Sequence, residues 1–429
     1  MKVIQMNISI SGTGYVGLIQ GVGLAKLGNK VMCVDINKEK VDAINNKKAP
    51  IYEKGLSELI TKLVPKQLTA TTNLKKAVME SQVTFICVGT PSSVHGEIRL
   101  HEMERICTDI GKILRQKKQP HVIVVKSTVV PGTCEKVVIP TLERASKKKF
   151  GKDFGVVMNP EFLREGSAIE DFFHPDRIVL GSSDQKAINT IKNLYKWFKC
   201  PVLETRFGEA EMIKYASNSL LATKISFINE VGNICKRLGI DTNQVAVGVG
   251  LDYRIGPHFL RSGIGFGGSC FPKDVAALVH KSLELGYHPR IMRAALDVNR
   301  DQPLTFLELV EETLGTIKGK KIALLGLTFK AETDDVRESP SLTIIKELIL
   351  HQAELFLYDP MGMPAVKTLF PHLNYAESAQ EAVNKAEVIC ILTEWPEFSK
   401  VNYGTKQVID GKNVFEKAKR PKNYQGICW

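Results

Sequence analysis

The chain has 429 residues, of which 44% are apolar and 24% are charged. This composition indicates a folded globular protein and excludes a disordered or fibrous one, and the length suits two or three domains. No apolar run approaches the roughly 18 residues that a membrane-spanning helix needs. The nine cysteines form no CxxC pair and the histidines no HxxxH pair, which favours reduced thiols in a cytoplasmic protein and predicts no metal site.

The chain is basic, because 58 lysines and arginines against 46 acidic residues give a net charge of +12. Nucleic-acid binding would need a basic patch, a motif or interleaved aromatic residues. The lysine runs at 117–118 and 147–149 are instead predicted to lie in surface connections. A solvated surface, or attraction for an anionic small-molecule substrate, is therefore favoured over a nucleic-acid partner.

The first third of the chain alternates predicted strands and helices. Apolar runs predict strands at 3–11, 30–35, 83–88 and 122–125, and helical spacing predicts a helix at 15–27. The first of these segments is predicted to be a strand rather than a signal peptide. This alternation predicts a parallel sheet with helices on both faces.

The middle of the chain is predicted to be helical. From residue 208 to residue 238 apolar residues recur at helical spacing, which predicts one helix about 46 Å long. The last third resumes the alternation, with strands at 321–325, 354–358 and 387–392 and a helix at 341–350. A helix as long as the central one usually bridges domains or packs against a second subunit.

The predicted fold class is therefore α/β, with two Rossmann-like doubly wound domains joined by a helical middle domain that carries one long central helix. The predicted boundaries are 1–205 for the N-terminal domain, 206–300 for the middle domain and 301–429 for the C-terminal domain.

A glycine motif, GTGYVG at residues 12–17, follows the first predicted strand and opens the first helix. Such glycines permit a tight turn and bring a pyrophosphate close to a helix N-terminus. Asp35 ends the next predicted strand, where a carboxylate accepts hydrogen bonds from a ribose diol and repels a 2′-phosphate. The motif predicts a dinucleotide site that prefers NAD to NADP. The alternative is a glycine-rich turn without a ligand.

Cys270 lies in the segment GIGFGGSCFPKD at residues 263–274. Its four glycines in six residues let the backbone pass close to a ligand. Pro272 suits the first turn of a helix, and a thiol just before a helix N-terminus with Lys273 nearby ionises readily. Cys270 is therefore the candidate nucleophile among the nine cysteines. The alternative is an ordinary cysteine beside a flexible loop.

Two further patterns are weak by themselves. Lys214 and Asn218 lie four residues apart on the predicted central helix, so an ammonium and an amide share one face and could stabilise an oxyanion. The segment NPEFLREG at residues 159–166 offers two carboxylates and an arginine. By itself, each pattern is more often a solvated surface than a functional site.

Taken together, these motifs resemble those of the UDP-glucose 6-dehydrogenases in the UDP-glucose/GDP-mannose dehydrogenase family. The resemblance runs from the first strand to about Trp395. It rests on six segments: 12–17, 87–91, 126–128, 159–166 with 175–177, 263–274, and 326–330 with 333–337.

The resemblance implies oxidation of the primary alcohol of UDP-glucose to the carboxylate of UDP-glucuronate, a polysaccharide precursor, with two NAD and one water. It implies that a cysteine traps the aldehyde as a thiohemiacetal, which is oxidised to a thioester and then hydrolysed. It also implies a cytoplasmic homodimer. By resemblance, Arg254 reaches the site of the neighbouring subunit.

The implied catalytic residues are Cys270 as nucleophile, Lys214 with Asn218 at the alkoxide and oxyanion, Glu161 as general base, and Asp274 with Thr128 at the hydrolytic water. The implied cofactor contacts are Gly12, Gly14, Tyr15, Val16, Gly17, Asp35, Lys40, Thr90, Thr128, Glu165, Lys273 and Arg337. The implied sugar-nucleotide contacts are Glu161, Phe162, Leu163, Arg164, Glu165, Lys214, Asn218, Arg254, Phe259, Leu260, Arg261, Ser262, Gly263, Gly267 and Lys330.

Several alternatives stay open at this point. GDP-mannose 6-dehydrogenases share the two-step chemistry, and UDP-N-acetylmannosamine dehydrogenases are less favoured because they fit segment 159–163 poorly. A catalytically silent nucleotide-sugar-binding module is disfavoured by the presence of Cys270, Lys214 and Asp274. A β-hydroxyacid dehydrogenase would release one NADH per substrate. Val130 departs from the proline common in the family, and the tail from about residue 416 has no counterpart.

Overall fold

The computed structural model describes residues 5–93 and 96–429. The chain divides into two compact units, the first ending at Ala216 and the second beginning at Ser217. Among these described residues, each unit contains one β-sheet. Within the described ranges, no helix combines the length and the apolar content that a membrane crossing requires.

The first unit is built on an eight-stranded sheet with the strand order β3-β2-β1-β4-β5-β6-β7-β8. Its strands are β1 (Asn7–Ser11), β2 (Lys30–Val34), β3 (Leu68–Thr71), β4 (Val83–Ile86), β5 (Val122–Val125), β6 (Gly155–Met158), β7 (Ile178–Gly181) and β8 (Val202–Thr205). The four strands predicted in this unit are confirmed, with ends shifted by a few residues. Residues 3 and 4, at the start of the first predicted strand, lie outside the described part.

In the part of the chain that the structure describes, eight α-helices precede the central helix. They are α1 (Tyr15–Lys26), α2 (Lys38–Asn45), α3 (Leu56–Leu63), α4 (Leu74–Glu80), α5 (His101–Gln116), α6 (Ile139–Ser146), α7 (Ala168–Phe173) and α8 (Gln185–Leu194). A π-helical turn, Cys134–Val138, leads directly into α6. The predicted helix at 15–27 is thus confirmed as α1.

The strands β1 to β6 are parallel, which confirms the predicted Rossmann-like topology of this unit. The strand β7 pairs with β6 in the antiparallel sense through Met158 and Gly181, and β8 is parallel to β7. The last two strands therefore run opposite to the others. The carboxyl ends of the six parallel strands share one edge of the sheet, where ligands bind in this class of fold.

One basic residue contradicts the prediction from charge. Lys117 is only 5% exposed, and its Nζ donates to the carbonyl oxygens of Val78 at 2.7 Å and Met79 at 2.8 Å. The prediction that Lys117 lies in a surface connection was wrong, because the C-terminal carbonyls of α4 need donors and the lysine supplies them.

The central helix, α9, runs from Phe207 to Leu238 and has 32 residues. It confirms the long helix predicted at 208–238, and at 1.5 Å per residue it is about 48 Å long. The division between the two units falls inside this helix.

The second unit contains a six-stranded sheet with the order β11-β10-β9-β12-β13-β14, in which every pair is parallel. Its strands are β9 (Lys321–Leu325), β10 (Glu354–Tyr358), β11 (Asn374–Tyr375), β12 (Val388–Ile391), β13 (Gln407–Asp410) and β14 (Asn423–Gly426). Its remaining helices are α10 (Thr242–Gly250), α11 (Phe271–Glu284), α12 (Arg290–Leu314), α13 (Pro340–Leu350), α14 (Met363–Leu369) and α15 (Ala379–Lys385).

Both faces of the second sheet are covered. Ile322 and Leu324 of β9 belong to one buried apolar cluster, whereas Ala323 and Leu325 belong to another. Because side chains alternate along a strand, the two clusters lie on opposite faces of the sheet. This arrangement confirms the doubly wound C-terminal domain that the alternation of strands and helices predicted.

Candidate active site

The glycine motif forms the turn between β1 and α1. Gly12 has a φ of +95°, and a Cβ atom on it would lie 2.6 Å from the carbonyl oxygen of Cys87. A Cβ atom on Gly17 would lie 1.9 Å from the carbonyl oxygen of Gly12. Gly14 is the N-cap of α1 and provides no side-chain cap. The first N–H groups of the helix thus remain for an external anion, as dinucleotide binding requires.

Asp35 follows β2 beside this turn. Its Oδ2 accepts hydrogen bonds from the Thr13 N–H at 2.8 Å and the Thr13 hydroxyl at 2.5 Å, and its Oδ1 accepts one from the Asn37 N–H at 2.9 Å. Burial raises the pKa of Asp35, but these bonds and the charge of Lys40 hold it below its ordinary value. The carboxylate is therefore ionised at neutral pH, which suits a ribose diol and disfavours a 2′-phosphate.

Two of the predicted cofactor residues, Thr90 and Thr128, lie together. The Thr90 hydroxyl donates to the Thr128 carbonyl oxygen at 2.9 Å, and the Ser127 hydroxyl donates to the Val88 carbonyl oxygen at 2.7 Å. These bonds join the loop after β4 to the loop after β5. The two neighbouring strand ends thus present their threonines at one place on the sheet edge.

Tyr15 and Glu53 hold the segment that follows Glu165. The Tyr15 hydroxyl donates to Oε2 of Glu53, and the Gly166 N–H donates to that oxygen at 2.8 Å. The Ala168 N–H donates to Oε1 of Glu53 at 2.8 Å. The sequence analysis missed Glu53, because a single carboxylate in a loop carries no periodic or spacing signal. Its position links the first turn of α1 to the Glu165 segment.

Glu161 and Lys214 form a buried ion pair. The Lys214 Nζ lies 3.0 Å from Oε1 of Glu161, and the two side chains are 4% and 7% exposed. Oε2 of Glu161 accepts a hydrogen bond from the Leu163 N–H at 2.7 Å. The Lys214 Nζ also lies 5.4 Å from the ring centre of Phe162. Both carboxylate oxygens are thus engaged, and the pair has a defined geometry.

Arg164, in the same loop, is largely exposed. Its guanidinium pairs with Asp171, with Nη2 2.5 Å from Oδ1 and Nε 3.1 Å from Oδ2. The Arg164 N–H also donates to Oδ2 of Asp171 at 2.8 Å. A bidentate contact of this kind fixes the direction of the side chain.

In the second unit, α11 brings together four residues of the predicted site. Cys270 is the N-cap of α11 and is exposed. Asp274, one turn further, is buried at 1% exposure. It accepts hydrogen bonds from the Asn218 amide at 2.7 Å and from the Lys273 ammonium at 2.6 Å. The helix thus presents an accessible thiol and a buried carboxylate on the same face.

The glycines before Cys270 are required by close packing. A Cβ atom on Gly263 would lie 2.7 Å from the Gly411 carbonyl oxygen, and one on Gly267 would lie 2.3 Å from the Glu338 carbonyl oxygen. The Gly263 N–H donates to Asn229 Oδ1 at 2.8 Å. The loop is therefore held against its neighbours within the second unit, and its predicted close approach to a ligand stays a prediction.

The loop before these glycines mixes buried and exposed residues. Leu260 and Ser262 are buried at 6% and 4% exposure, and the Arg261 Nη2 donates to the carbonyl oxygens of Lys412 and Asn413 at 2.6 and 2.7 Å. Phe259 has a φ of +63°, an uncommon conformation for a bulky residue. Such strain is typical of segments held for a function.

The remaining predicted residues of the second unit lie at its surface. The Arg254 side chain is 74% exposed, with its Nη2 2.5 Å from Oδ2 of Asp252. Arg337 makes the same kind of pair with Asp335, at 2.7 Å. The Lys330 Nζ lies 5.7 Å from the ring centre of Phe329. Both arginines are thus preorganised by a carboxylate two residues earlier.

These features define a class: a dinucleotide-dependent oxidoreductase that carries an accessible thiol at a helix N-terminus. Three domain models of the UDP-glucose/GDP-mannose dehydrogenase family match the chain: the NAD binding domain at residues 6–199, the central domain at 208–301 and the UDP binding domain at 323–417. The chain belongs to the UDP-glucose/GDP-mannose dehydrogenase family, and it is an NAD-dependent oxidoreductase.

Known relatives agree with this assignment. A UDP-glucose 6-dehydrogenase of Haloferax volcanii is 41% identical over 419 residues, with 95% of this chain and 97% of the relative covered. One from Bacillus subtilis is 43% identical over 417 residues, with 95% and 89% covered. The solved structure of a UDP-glucose dehydrogenase from Pyrobaculum islandicum is 41% identical, covers 100% of this chain and 98% of its own, and has a TM-score of 0.95.

Proposed function

We propose that the enzyme oxidises UDP-glucose to UDP-glucuronate in two successive steps. The observation that carries this proposal is the arrangement on α11, where the accessible Cys270 thiol precedes the buried Asp274 by one turn and Asp274 holds Asn218. An alcohol dehydrogenase that stops at the aldehyde needs no thiol, whereas oxidation to the acid is served by covalent capture. The relatives named UDP-glucose 6-dehydrogenases support the choice of substrate.

In the first step, Lys214 and Glu161 of the first unit act on the C6 alcohol of the sugar. Lys214 stabilises the alkoxide that forms when the C6 hydroxyl loses its proton, and Glu161 is the general base for that proton. The pairing of Lys214 with Glu161 at 3.0 Å supports this assignment, since the proton and the charge are handled at one place.

Cys270 acts on the aldehyde. Its thiolate forms a C–S bond to C6, and the aldehyde oxygen takes a proton to give a thiohemiacetal. Loss of a hydride and a proton from that adduct leaves a thioester. Water then attacks the thioester, the C–S bond breaks, and Cys270 leaves as a thiolate while the carboxylate is released. Asp274 and Thr128 position this water, and Lys214 with Asn218 stabilises the oxyanion.

The cofactor site fits NAD. When bound, NAD accepts one hydride in each oxidation, so that two are reduced per sugar nucleotide. The glycine turn at 12–17 and Asp35 would hold its pyrophosphate and ribose, because the turn leaves helix N–H groups for an anion and Asp35 is ionised. The further cofactor contacts that we propose are Lys40, Thr90, Thr128, Glu165, Lys273 and Arg337.

The sugar-nucleotide contacts that we propose are Glu161, Phe162, Leu163, Arg164, Glu165, Lys214, Asn218, Phe259, Leu260, Arg261, Ser262, Gly263, Gly267 and Lys330. The match of the UDP binding domain model to residues 323–417 supports a nucleotide contact in the last third of the chain.

We further propose that the working enzyme is a cytoplasmic homodimer in which Arg254 reaches the site of the neighbouring subunit. Its exposed position, with the guanidinium held by Asp252, suits a residue that acts on another chain.

We also propose three domains with boundaries 1–205, 206–300 and 301–429. We propose that the product is used for polysaccharide synthesis. The supply of UDP-glucose and NAD favours the cytoplasm.

The test is the number of NADH formed per sugar nucleotide consumed, with UDP-glucose and GDP-mannose offered separately to the wild type and to Cys270→Ser. We expect two NADH from UDP-glucose and no completed turnover by Cys270→Ser. Cys200→Ser is the control, since Cys200 is a half-buried thiol outside the proposed site. Two NADH from GDP-mannose alone would keep the chemistry and overturn the substrate. One NADH, or an unaffected Cys270→Ser, would overturn the thioester route.

A further inference from the structure

Lys126 is a buried cation that the proposed chemistry leaves unused. It follows β5 and is 7% exposed. Its Nζ donates a hydrogen bond of 2.9 Å to Oδ1 of Asn159, the residue that follows β6. Asn159 comes two residues before Glu161, so Lys126 is bonded to the start of the loop that carries the buried ion pair.

The direction of every hydrogen bond around Asn159 follows from its partners. The Gln20 amide donates to the Tyr195 hydroxyl at 2.9 Å, so that hydroxyl directs its own proton to Oδ1 of Asn159 at 2.7 Å. The Asn159 Nδ2 donates to the Val179 carbonyl oxygen at 2.9 Å. Oδ1 is therefore an acceptor for both Tyr195 and Lys126. A buried network with its partners satisfied holds a single geometry.

Glu161, Lys214 and Cys87 are the titratable groups that act on the Lys126 ammonium. Burial lowers the pKa of Lys126 to about 8, the charge of Glu161 raises it, and the charge of Lys214 lowers it. Burial raises the pKa of Cys87 to about 12, so this thiol is neutral near pH 8. Lys126 thus shares the field of the Glu161 carboxylate with Lys214. An ammonium at Lys126 adds one positive charge beside the Glu161–Lys214 ion pair, which favours an anionic alkoxide or oxyanion.

We propose that Lys126 is a positioning residue for the oxidation proposed above: through Asn159 it fixes the Glu161 loop, and its ammonium adds a positive charge beside the Glu161–Lys214 pair. The proposal rests on the proposed function. It assigns Lys126 no direct contact with the substrate.

The kinetic test compares kcat and KM for UDP-glucose across pH in the wild type, Lys126→Met and Lys126→Gln. Both variants remove the charge, and Lys126→Gln retains a donor for Asn159. We expect kcat to fall by about 10- to 100-fold in Lys126→Met and less in Lys126→Gln, with KM changed by less than about 3-fold. In the wild type kcat should decline as pH rises through about 8, where Lys126 loses its proton, and this decline should be absent in both variants.

The matched control is Lys117→Met. Lys117 is also a buried lysine of the first unit, bonded to the carbonyl oxygens at the end of α4. We expect this variant to be less stable yet to keep the wild-type kcat and its alkaline decline. A wild-type profile in both Lys126 variants, or a loss confined to KM, would overturn the proposal. So would the same loss of kcat in Lys117→Met.

A second measurement needs no substrate. The pKa of Lys126 is about 8 in the folded protein against an ordinary 10.5, so between these values the unfolded chain binds more protons and stability rises with pH. The Tm of the wild type minus that of Lys126→Met should therefore increase over this window. A constant difference would contradict a lowered pKa of Lys126 in the folded protein and would overturn the proposal. Failure of the proposed function appears separately, as absence of NADH formation by the wild type.

Discussion

At the scale of single residues, Asp35 controls the choice of dinucleotide. Its carboxylate is ionised and already holds Thr13 and Asn37. We expect Asp35→Asn to raise KM for NAD by about 10-fold or more, because a hydrogen bond to a charged group contributes about 1.5–3 kcal/mol. The preference for NAD over NADP should fall as well, since the charge that repels a 2′-phosphate is gone. Initial rates with each dinucleotide measure both effects.

Asp42→Asn is the control for that prediction. Asp42 lies on α2 and pairs with Lys38 in an exposed i,i+4 ion pair, with side-chain exposures of 49% and 78%. Such pairs contribute little. We expect Asp42→Asn to leave both dinucleotide constants unchanged. A KM for NAD in Asp35→Asn equal to that of the wild type would contradict the role of Asp35.

The sequence predicted individual residues where the signal is local. Gly12 and Gly17 belong to a motif that is typical of a tight turn, and Cys270 lies directly before the start of a helix. Their environments can therefore be predicted from neighbouring residues in the chain. The partners of Lys214 and Asp274 could not be predicted in this way, because Glu161 and Asn218 come from distant segments. The prediction of an exposed Lys117 was wrong for the same reason, since its carbonyl acceptors lie at the end of a helix that is distant in the sequence.

At the scale of elements, Glu211 joins α9 to the turn that begins the π-helical segment. It is buried at 0% exposure, and it accepts hydrogen bonds from the N–H groups of Gly132 at 2.5 Å and Cys134 at 2.8 Å. Glu211→Ala would leave two N–H groups without this acceptor. We expect it to lower the free energy of unfolding by about 2–6 kcal/mol, since each such group costs about 1–3 kcal/mol. Urea denaturation measures the loss.

The control lies on the same helix. Glu209 is exposed, so Glu209→Ala should change the free energy of unfolding by less than about 0.5 kcal/mol. Glu211→Gln, which keeps one carbonyl acceptor, should lose about half as much as Glu211→Ala. Equal stability of Glu211→Ala and Glu209→Ala would refute the role of this contact.

The positions of the strands and helices could be predicted from periodicity, but the direction in which neighbouring strands pair could not always be predicted. The apolar runs predicted β4, β5, β9 and β10 to within two residues, because buried strands are short and continuous in apolar character. The reversal of β7 and β8 has no local signal, since strand direction depends on how the preceding segment returns to the sheet. The tail after residue 416 was left unplaced, yet it contains β14, whose partner β13 fixes it.

At the scale of the whole molecule, the two sheets share one hydrogen-bond arrangement, in which a glycine and an aspartate lie at the ends of neighbouring strands. In the first, Gly12 donates to the Val34 carbonyl oxygen at 2.8 Å and Asp35 accepts from Thr13. In the second, Gly326 donates to the Tyr358 carbonyl oxygen at 2.8 Å and Asp359 accepts from Thr328. Asp359 is only 2% exposed and also holds Trp395. It is therefore a structural counterpart of Asp35 whose carboxylate is buried and bonded within the protein.

The proposed dimer can be tested at exposed apolar residues of α9. Leu220, Phe227 and Ile234 lie seven residues apart on α9 and are 63%, 54% and 53% exposed, which is the apolar spacing of a helix that packs against another helix. We expect Phe227→Glu to convert the dimer to a monomer in light scattering. Turnover should fall with it, because Arg254 is proposed to act on the neighbouring subunit. Leu350→Glu, at a 73% exposed position on α13, should change neither. A monomeric Phe227→Glu with full turnover would contradict the shared site.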